Sequence, residues 1–259
     1  MPNNSPIGIF DSGVGGISIW KEIHELLPNE NTIYLADSIN APYGQKSKQE
    51  IIELCFKNTE LLIKRNCKLI VVACNTATTN AIKQLRAKYD IPFIGIEPAI
   101  KPAAINSKTK SIGILATKGT LSSELFHSST ELYSDNIKII EQVGEGLVEL
   151  IESGNINSLK MTSLLTKYLK PMINNNIDYL VLGCSHYPFL INQIKKITPN
   201  NVTIIDSGKA VAKQVQNILI ENSNLCENEN DFCLFLTNKK TEIIKSILNN
   251  KHIVLKHKF

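Results

Sequence analysis

Leu69-Ile70-Val71-Val72-Ala73-Cys74-Asn75-Thr76 and Tyr179-Leu180-Val181-Leu182-Gly183-Cys184-Ser185-His186 carry one pattern twice. Each is a short apolar run ending in a cysteine, followed by small polar residues. A run of four or five apolar, largely β-branched residues reads as a strand buried on both faces. The two cysteines stand 110 positions apart, and other strands repeat at similar intervals. Ile7-Gly8-Ile9-Phe10 resembles Ile112-Gly113-Ile114-Leu115 at a shift of 105 residues. The run at Thr32 matches the run at Ile137, again at 105, and the run at Phe93 matches that at Thr203 at 110.

Working outward, the spacing predicts strands at residues 7–10, 32–35, 69–73 and 92–96, and a second set at 111–115, 137–140, 179–182 and 202–205. Weaker runs at 232–236 and 252–255 close the chain. Helical periodicity lies between them at 20–27, 48–64, 78–89 and 157–174. Alternating strand and helix implies an α/β fold with mainly parallel sheets. The repeat implies two pseudo-symmetric α/β domains that meet at an interface. Their expected limits are 1–97 plus about 210–259 for the first and 98–209 for the second. Pro98 and Pro102 punctuate the boundary. The polar, Asn-rich stretch 221–231 reads as an exposed loop.

Composition narrows the function. The chain has 259 residues, a formal charge of +4, and 6% aromatic residues. Lysines are scattered and the only arginines are Arg65 and Arg86. Nucleic-acid binding calls for clustered basic residues with aromatic platforms, so it is not expected. No apolar run approaches the roughly 18 residues a transmembrane helix needs. Residues 1–6 lack the basic and apolar regions of a signal peptide, so a cytoplasmic setting is expected. Six cysteines without a C-x-x-C pair read as free thiols in a reducing compartment.

Ligands of open α/β sheets bind beyond the carboxyl ends of strands. After the first strand comes Asp11-Ser12-Gly13-Val14-Gly15-Gly16. Its spacing fits neither a dinucleotide fingerprint nor a P-loop. Its amides at a helix start suit a small anion, and a plain tight turn capped by Asp11 would also explain the glycines. Pro42-Tyr43-Gly44 is a rigid turn bearing a phenol. Cys74 and Cys184 each sit where a strand gives way to a helix. There the helix dipole and free amides are expected to lower a thiol's pKa from about 8.5. A single such cysteine is usually a small core residue. Two at equivalent points of two facing domains would place opposed thiols across one cleft, with Asn75-Thr76 and Ser185-His186 lining it. A Cys-x-His metal pair at Cys184 and His186 would need a further ligand, such as Asp11 or Cys74. Two opposed acid/base groups suit inversion of a carbon centre, one removing a proton from one face and the other returning it to the opposite face.

These motifs resemble the glutamate racemases of the cofactor-independent aspartate/glutamate racemase superfamily. The matching segments are Phe10–Gly16, Pro42-Tyr43-Gly44, Ala73–Thr76, Glu97-Pro98-Ala99 and Gly183–Pro188. The resemblance implies two flavodoxin-like domains with the active site between them. It implies interconversion of L- and D-glutamate without a cofactor or metal, D-glutamate supply for peptidoglycan, and a homodimer. Cys74 would act on the D-enantiomer and Cys184 on the L-enantiomer, with Asp11, His186 and Glu152 assisting. Asp11, Ser12, Tyr43, Gly44, Asn75 and Thr76 match substrate-binding positions, as do Thr117, Thr120, Ser185 and His186. Ser185 stands where the family usually has Thr, which keeps the hydroxyl. Related two-cysteine racemases of aspartate, and a non-catalytic two-lobed binding module, are the competing readings.

Overall fold

Ile7–Asp11 forms strand β1, and all five residues are buried. Such a strand must have helices on both faces. The computed structural model of the chain describes residues 4–226 and 232–259, and it shows that arrangement. In chain order there follow α1 (Ile17–Leu26), β2 (Thr32–Ala36), α2 (Lys48–Lys64), β3 (Leu69–Val72), α3 (Asn75–Lys88), β4 (Phe93–Gly95) and α4 (Ile100–Asn106). Next are β5 (Ser111–Ala116), α5 (Lys118–Leu121), α6 (Glu124–Ser134), β6 (Lys138–Val143), α7 (Leu147–Glu152), α8 (Leu159–Asn174) and β7 (Tyr179–Gly183). The chain ends with α9 (Ile191–Ile197), β8 (Thr203–Ile205), α10 (Gly208–Glu221), β9 (Cys233–Thr237), α11 (Glu242–Ile247) and β10 (Ile253–Lys256).

The strands form two parallel sheets. The first has the order β10-β9-β2-β1-β3-β4 and the second β6-β5-β7-β8. The stretch β2-β1-β3-β4 and the whole second sheet therefore share one strand order, as the internal repeat implies. Register sharpens the match. Gly8 pairs with Ile33 and Ile70, and Gly113 pairs with Ile140 and Leu180. The equivalence of β2 with β6 thus runs at a shift of 107 residues, not 105. That of β4 with β8 runs at 111 rather than 110, because Ile70 faces Phe93 and Leu180 faces Ile204.

Helix boundaries have local causes. The capping box of Ser47 and Glu50 starts α2 where the periodicity places it. Helix α3 begins at Asn75 rather than 78, because Cys74 itself caps it. Ser158 caps α8 and moves its start from 157 to Leu159. Strand β6 runs three residues past the expected end and is only half buried, as suits an edge strand.

One apolar layer is shared by the two sheets. Ile9 and Tyr34 of the first, with Trp20 of α1, belong to the same core as Leu180 of the second and Tyr187 and Leu190 just beyond β7. Separate clusters cover the outer faces under α2 and α3, and under α4 and α6. The two crossings between sheets are tied by the Ser207 hydroxyl, which donates to the Glu97 carbonyl. Helix α10 leads back along α1, and β9 and β10 extend the first sheet. The return passes a buried ion pair, Lys68 Nζ to Glu30 Oε2 at 2.7 Å, whose partners also hold the backbone of Asn224 and Cys226. Residues 227–231 of the expected loop, and residues 1–3, lie outside the described residues. Among the described residues no helix is long and apolar enough to cross a membrane.

Candidate active site

The carboxyl ends of β1, β3, β5 and β7 converge. Between them a cavity of about 10 Å³ is lined by Ser12, Tyr43, Gly44, Cys74, Asn75, Thr76, Thr117, Val148, Cys184, Ser185 and His186. That is room for a single water molecule. The two cysteines singled out by the repeat thus line one chamber. Cys74 is 5% exposed and Cys184 6%. Cys55, Cys67, Cys226 and Cys233 are buried elsewhere.

Cys74 is the N-cap of α3, and its Sγ accepts from the Ala77 amide at 3.4 Å. Its thiol points to Ser12 Oγ, 3.7 Å away. The sequence leads one to expect a depressed thiol pKa at this helix start, and the structure reverses that. Burial, aided by the negative charges of Asp11 and Cys184, pushes the Cys74 thiol well up. The Ala77 amide and Ser12 hydroxyl oppose this and lose.

Cys184 has a different neighbour. Its Sγ lies 3.8 Å from His186 Nδ1. On the other side of the ring, Nε2 donates to Glu152 Oε1 at 2.7 Å. Burial works against a charged imidazole. The hydrogen bonds to Cys184 and Glu152 and the charge of Asp11 overcome it, and the pKa of His186 rises well above its usual value. Glu152 is driven the other way. Burial raises its pKa, but His186, the Val14 amide and the Ser38 hydroxyl hold it below the usual carboxylate range. Val14 N to Glu152 Oε1 is 2.6 Å. The pair is an imidazolium and a carboxylate, 1% and 8% exposed.

Asp11 sits between the two halves. It accepts from the Gly13 amide at 3.0 Å and from the Ser185 hydroxyl, also at 3.0 Å. Burial raises its pKa, although His186 pulls it back. The glycines after Asp11 now have a steric reason. A Cβ on Gly13 would collide with the Glu152 carboxylate, and one on Gly15 with the His186 ring. Tyr34 on β2 fastens this loop from beneath, its hydroxyl donating to the Gly13 carbonyl at 2.7 Å.

Three hydroxyls bridge the sheets. Thr76 Oγ1 lies 2.8 Å from Thr117 and 3.2 Å from Thr120, which are 3.0 Å from each other. Asn75 is 2% exposed, and both polar atoms of its side chain have no partner. Buried polar atoms without partners are costly and rare, and these two border the chamber. Tyr43 also borders it, but its hydroxyl is committed elsewhere, donating to Asp37 Oδ2 at 2.5 Å and accepting from Asn58 at 3.1 Å. Asp37 is the anchor of that turn, held also by Asn40 and Asn238.

Residues 7–215 match the family described as Asp/Glu/hydantoin racemase. The chain belongs to that family. The sequence is 44% identical over 218 residues to a glutamate racemase of Ectopseudomonas mendocina, covering 84% of this chain and 83% of that protein. The glutamate racemase isoform RacE1 of Bacillus anthracis superposes with a TM-score of 0.89 at 31% identity, covering 99% of this chain and 98% of that one. The glutamate racemase of Francisella tularensis, solved with D-glutamate, gives 0.85 at 28% identity over 99% and 97% of the two chains. The mixed α/β fold with two mainly parallel sheets is thus the racemase fold.

Every family position singled out in the sequence lies in or beside the chamber. Asp11 and Glu152 stand one contact back from it, and Thr120 stands behind Thr76 and Thr117. Sequence reasoning missed the Val14 amide, Ser38, Tyr34 and Val148. None carries a motif of its own. Gly13 and Gly15 were the available signal, since backbone without side chains announces that something packs closely upon it.

Proposed function

We infer that the chain interconverts L-glutamate and D-glutamate by a two-base mechanism, with no cofactor. The observation that carries this reading is the pair of buried cysteines at equivalent strand ends lining one small chamber. One cysteine, as thiolate, takes the α-proton from one face of the substrate, so the Cα–H bond breaks and an S–H bond forms. The opposing thiol gives its proton to the other face, and the configuration inverts. The two sulfurs exchange roles with each turnover and titrate as a coupled unit.

The α-proton of an amino acid is very weakly acidic, so charge developing at Cα must be met by groups already in place. Ser12, Asn75, Thr76, Thr117 and Ser185 supply donors around the chamber. Asn75, with no protein partner, is placed to receive a polar group of the substrate. Asp11 assists Cys74, and Glu152 acts on Cys184 through His186. On this reading Cys184, beside His186, takes the proton from L-glutamate, and Cys74 gives one to the opposite face. In the cell the enzyme is expected in the cytoplasm, as a homodimer, supplying D-glutamate for peptidoglycan.

The test is circular dichroism of L- and D-glutamate with the purified protein and no additive, beside a panel including L-aspartate. Cys74→Ser and Cys184→Ser should each abolish net racemisation in both directions. Each should retain slow exchange of the α-proton with solvent deuterium for one enantiomer only. Full activity of Cys184→Ser in both directions would overturn the two-base reading. Turnover of aspartate in place of glutamate would overturn the substrate.

A further inference from the structure

Strand β9 brings to the site a residue that no motif announces. Ala36, the last residue of β2, pairs with Thr237, the last of β9. The parallel register therefore sets the next two residues, Asp37 and Asn238, side by side. Asn238 is buried, and it lies outside residues 7–215, the stretch matched by the family. Both polar atoms of its amide are spent on one loop. Asn238 Nδ2 donates to Asp37 Oδ1 at 2.6 Å, and Asn238 Oδ1 accepts from the Ile39 amide at 2.9 Å. The side chain thus clips the start of the loop that leads to Pro42-Tyr43-Gly44.

The hold is passed along that loop. The second oxygen of Asp37 accepts from the Tyr43 hydroxyl, and Asn58 of α2 donates to the same hydroxyl. Burial, then the charge of Asp37, pushes the Tyr43 phenol well above its ordinary value, so it stays a donor. Gly44, next in the chain, lines the chamber. Its backbone is packed against the other half of the molecule. A Cβ on Gly44 would lie 2.8 Å from Thr117 Cβ, and one on Gly119 would lie 3.1 Å from the Gly44 Cα. A small shift of the Tyr43 ring therefore moves the chamber wall.

We propose that Asn238 is a positioning residue of the racemase site. It fixes Asp37 and the Ile39 amide, Asp37 fixes the Tyr43 phenol, and the phenol sets where Gly44 stands in the chamber wall. The C-terminal return of the chain thereby takes part in holding the substrate, although it supplies no residue to the chamber. The turn carries none of the proton-transfer groups, so a loosened turn weakens substrate binding and leaves the proton transfers alone. The effect on turnover rests on the racemase reading; the hold on the turn does not.

Asn238→Ala, Tyr43→Phe and the double variant are compared with the wild type by circular dichroism of L-glutamate and by hydrogen–deuterium exchange read on peptides. Asn238→Ala should raise KM by about threefold to thirtyfold, the weight of one or two buried hydrogen bonds, while kcat stays within about twofold and keeps its pH profile. The double variant should raise KM no further than the more affected single variant, because both act through one chain of contacts. Asn238→Asp keeps the size and the acceptor for Ile39 but sets a like charge on Asp37, so it should raise KM more than Asn238→Ala does. In each Asn238 variant residues 38–46 should exchange faster, while β6 exchanges as before. An unchanged KM for Asn238→Ala, multiplied KM effects in the double variant, or a milder effect of Asn238→Asp than of Asn238→Ala overturns the proposal. Unchanged exchange at 38–46 strikes the hold on the turn itself. Faster exchange there, in a protein whose wild type does not turn over glutamate, would strike the racemase reading and leave that hold standing.

Discussion

Glu152 and His186, 34 residues apart in sequence and on opposite sides of one hydrogen bond of 2.7 Å, form a buried ion pair that faces Cys184 through the ring's other nitrogen. The ring joins the carboxylate to the sulfur, so a change at Glu152 should be read at Cys184.

Replacing Glu152 by Gln should therefore cost activity and stability with a defined pH signature. His186 has a folded pKa raised above its ordinary 6.5, so its contribution is complete below that value and is lost as pH rises through the folded pKa. Glu152 is lowered from 4.5, so its contribution is complete above that value and is lost as pH falls through the folded pKa. The stability gap between wild type and Glu152→Gln should be widest between these ordinary values and narrow on both sides. Its size there should be roughly 3 kcal/mol, as for other broken buried pairs. Urea midpoints from pH 4 to 9 check this, and a gap independent of pH would refute the pairing.

Gly15→Ala tests whether the glycines serve the site or only the turn. The new methyl would meet the His186 ring, and the ring must move. Overpacking of this kind costs about 1–3 kcal/mol. The kcat should fall more than thermal stability suggests, because a small misplacement of a catalytic group is enough to slow the reaction by about a hundredfold. Equal, mild losses in both would mean that the glycines answer to backbone geometry alone.

Asn75→Leu should separate stability from function in the opposite sense. The native amide is buried with both polar atoms unpartnered, a situation that costs about 1–3 kcal/mol per group. A Leu of similar size removes that cost. The variant should melt at the same temperature or higher, while its KM for glutamate rises and kcat falls. A less stable variant with unchanged KM would place Asn75 in the fold and not in the site.

Tyr34→Phe removes one hydrogen bond under the Asp11–Gly16 loop. The loss should be about 1 kcal/mol of stability. A loosened Val14 amide should weaken its hold on Glu152, so the same variant should also show a pH–rate profile shifted in the direction of Glu152→Gln, though less far. An unchanged profile would confine Tyr34 to the core.

Much of this was legible because the informative residues are buried. The runs at β3 and β7 are almost wholly apolar, and Cys74 and Cys184 stand within two residues of their ends, so both strand and site could be read together. The motif resemblance added Glu152 and the threonines. Other features were out of reach for physical reasons. Helices α5, α7, α9 and α11 have four to seven residues each, too few to show a period. Strand β6 is half exposed, so its outward residues blur both its end and its repeat shift. The rise of the Cys74 pKa depends on burial and on Asp11, neither of which a helix-start argument contains. The turn of Tyr43 towards Asp37 depends on Asn58 and Asn238, far off in sequence.

Strands β9 and β10 carry a consequence for the order of assembly. Strand β2 lies between β1 and β9, and all five of its residues are buried in the finished sheet. While the chain is being synthesised, β5 to β8 can complete their own sheet as a continuous stretch. Strand β2 must wait for β9, which follows the whole second sheet in chain order, and until then its outer edge is open. An open, apolar strand edge is a site for pairing with the wrong chain. The vulnerable interval therefore lies between completion of the second sheet and arrival of β9, and truncation after α10 should yield aggregates even though every residue that lines the chamber is already present.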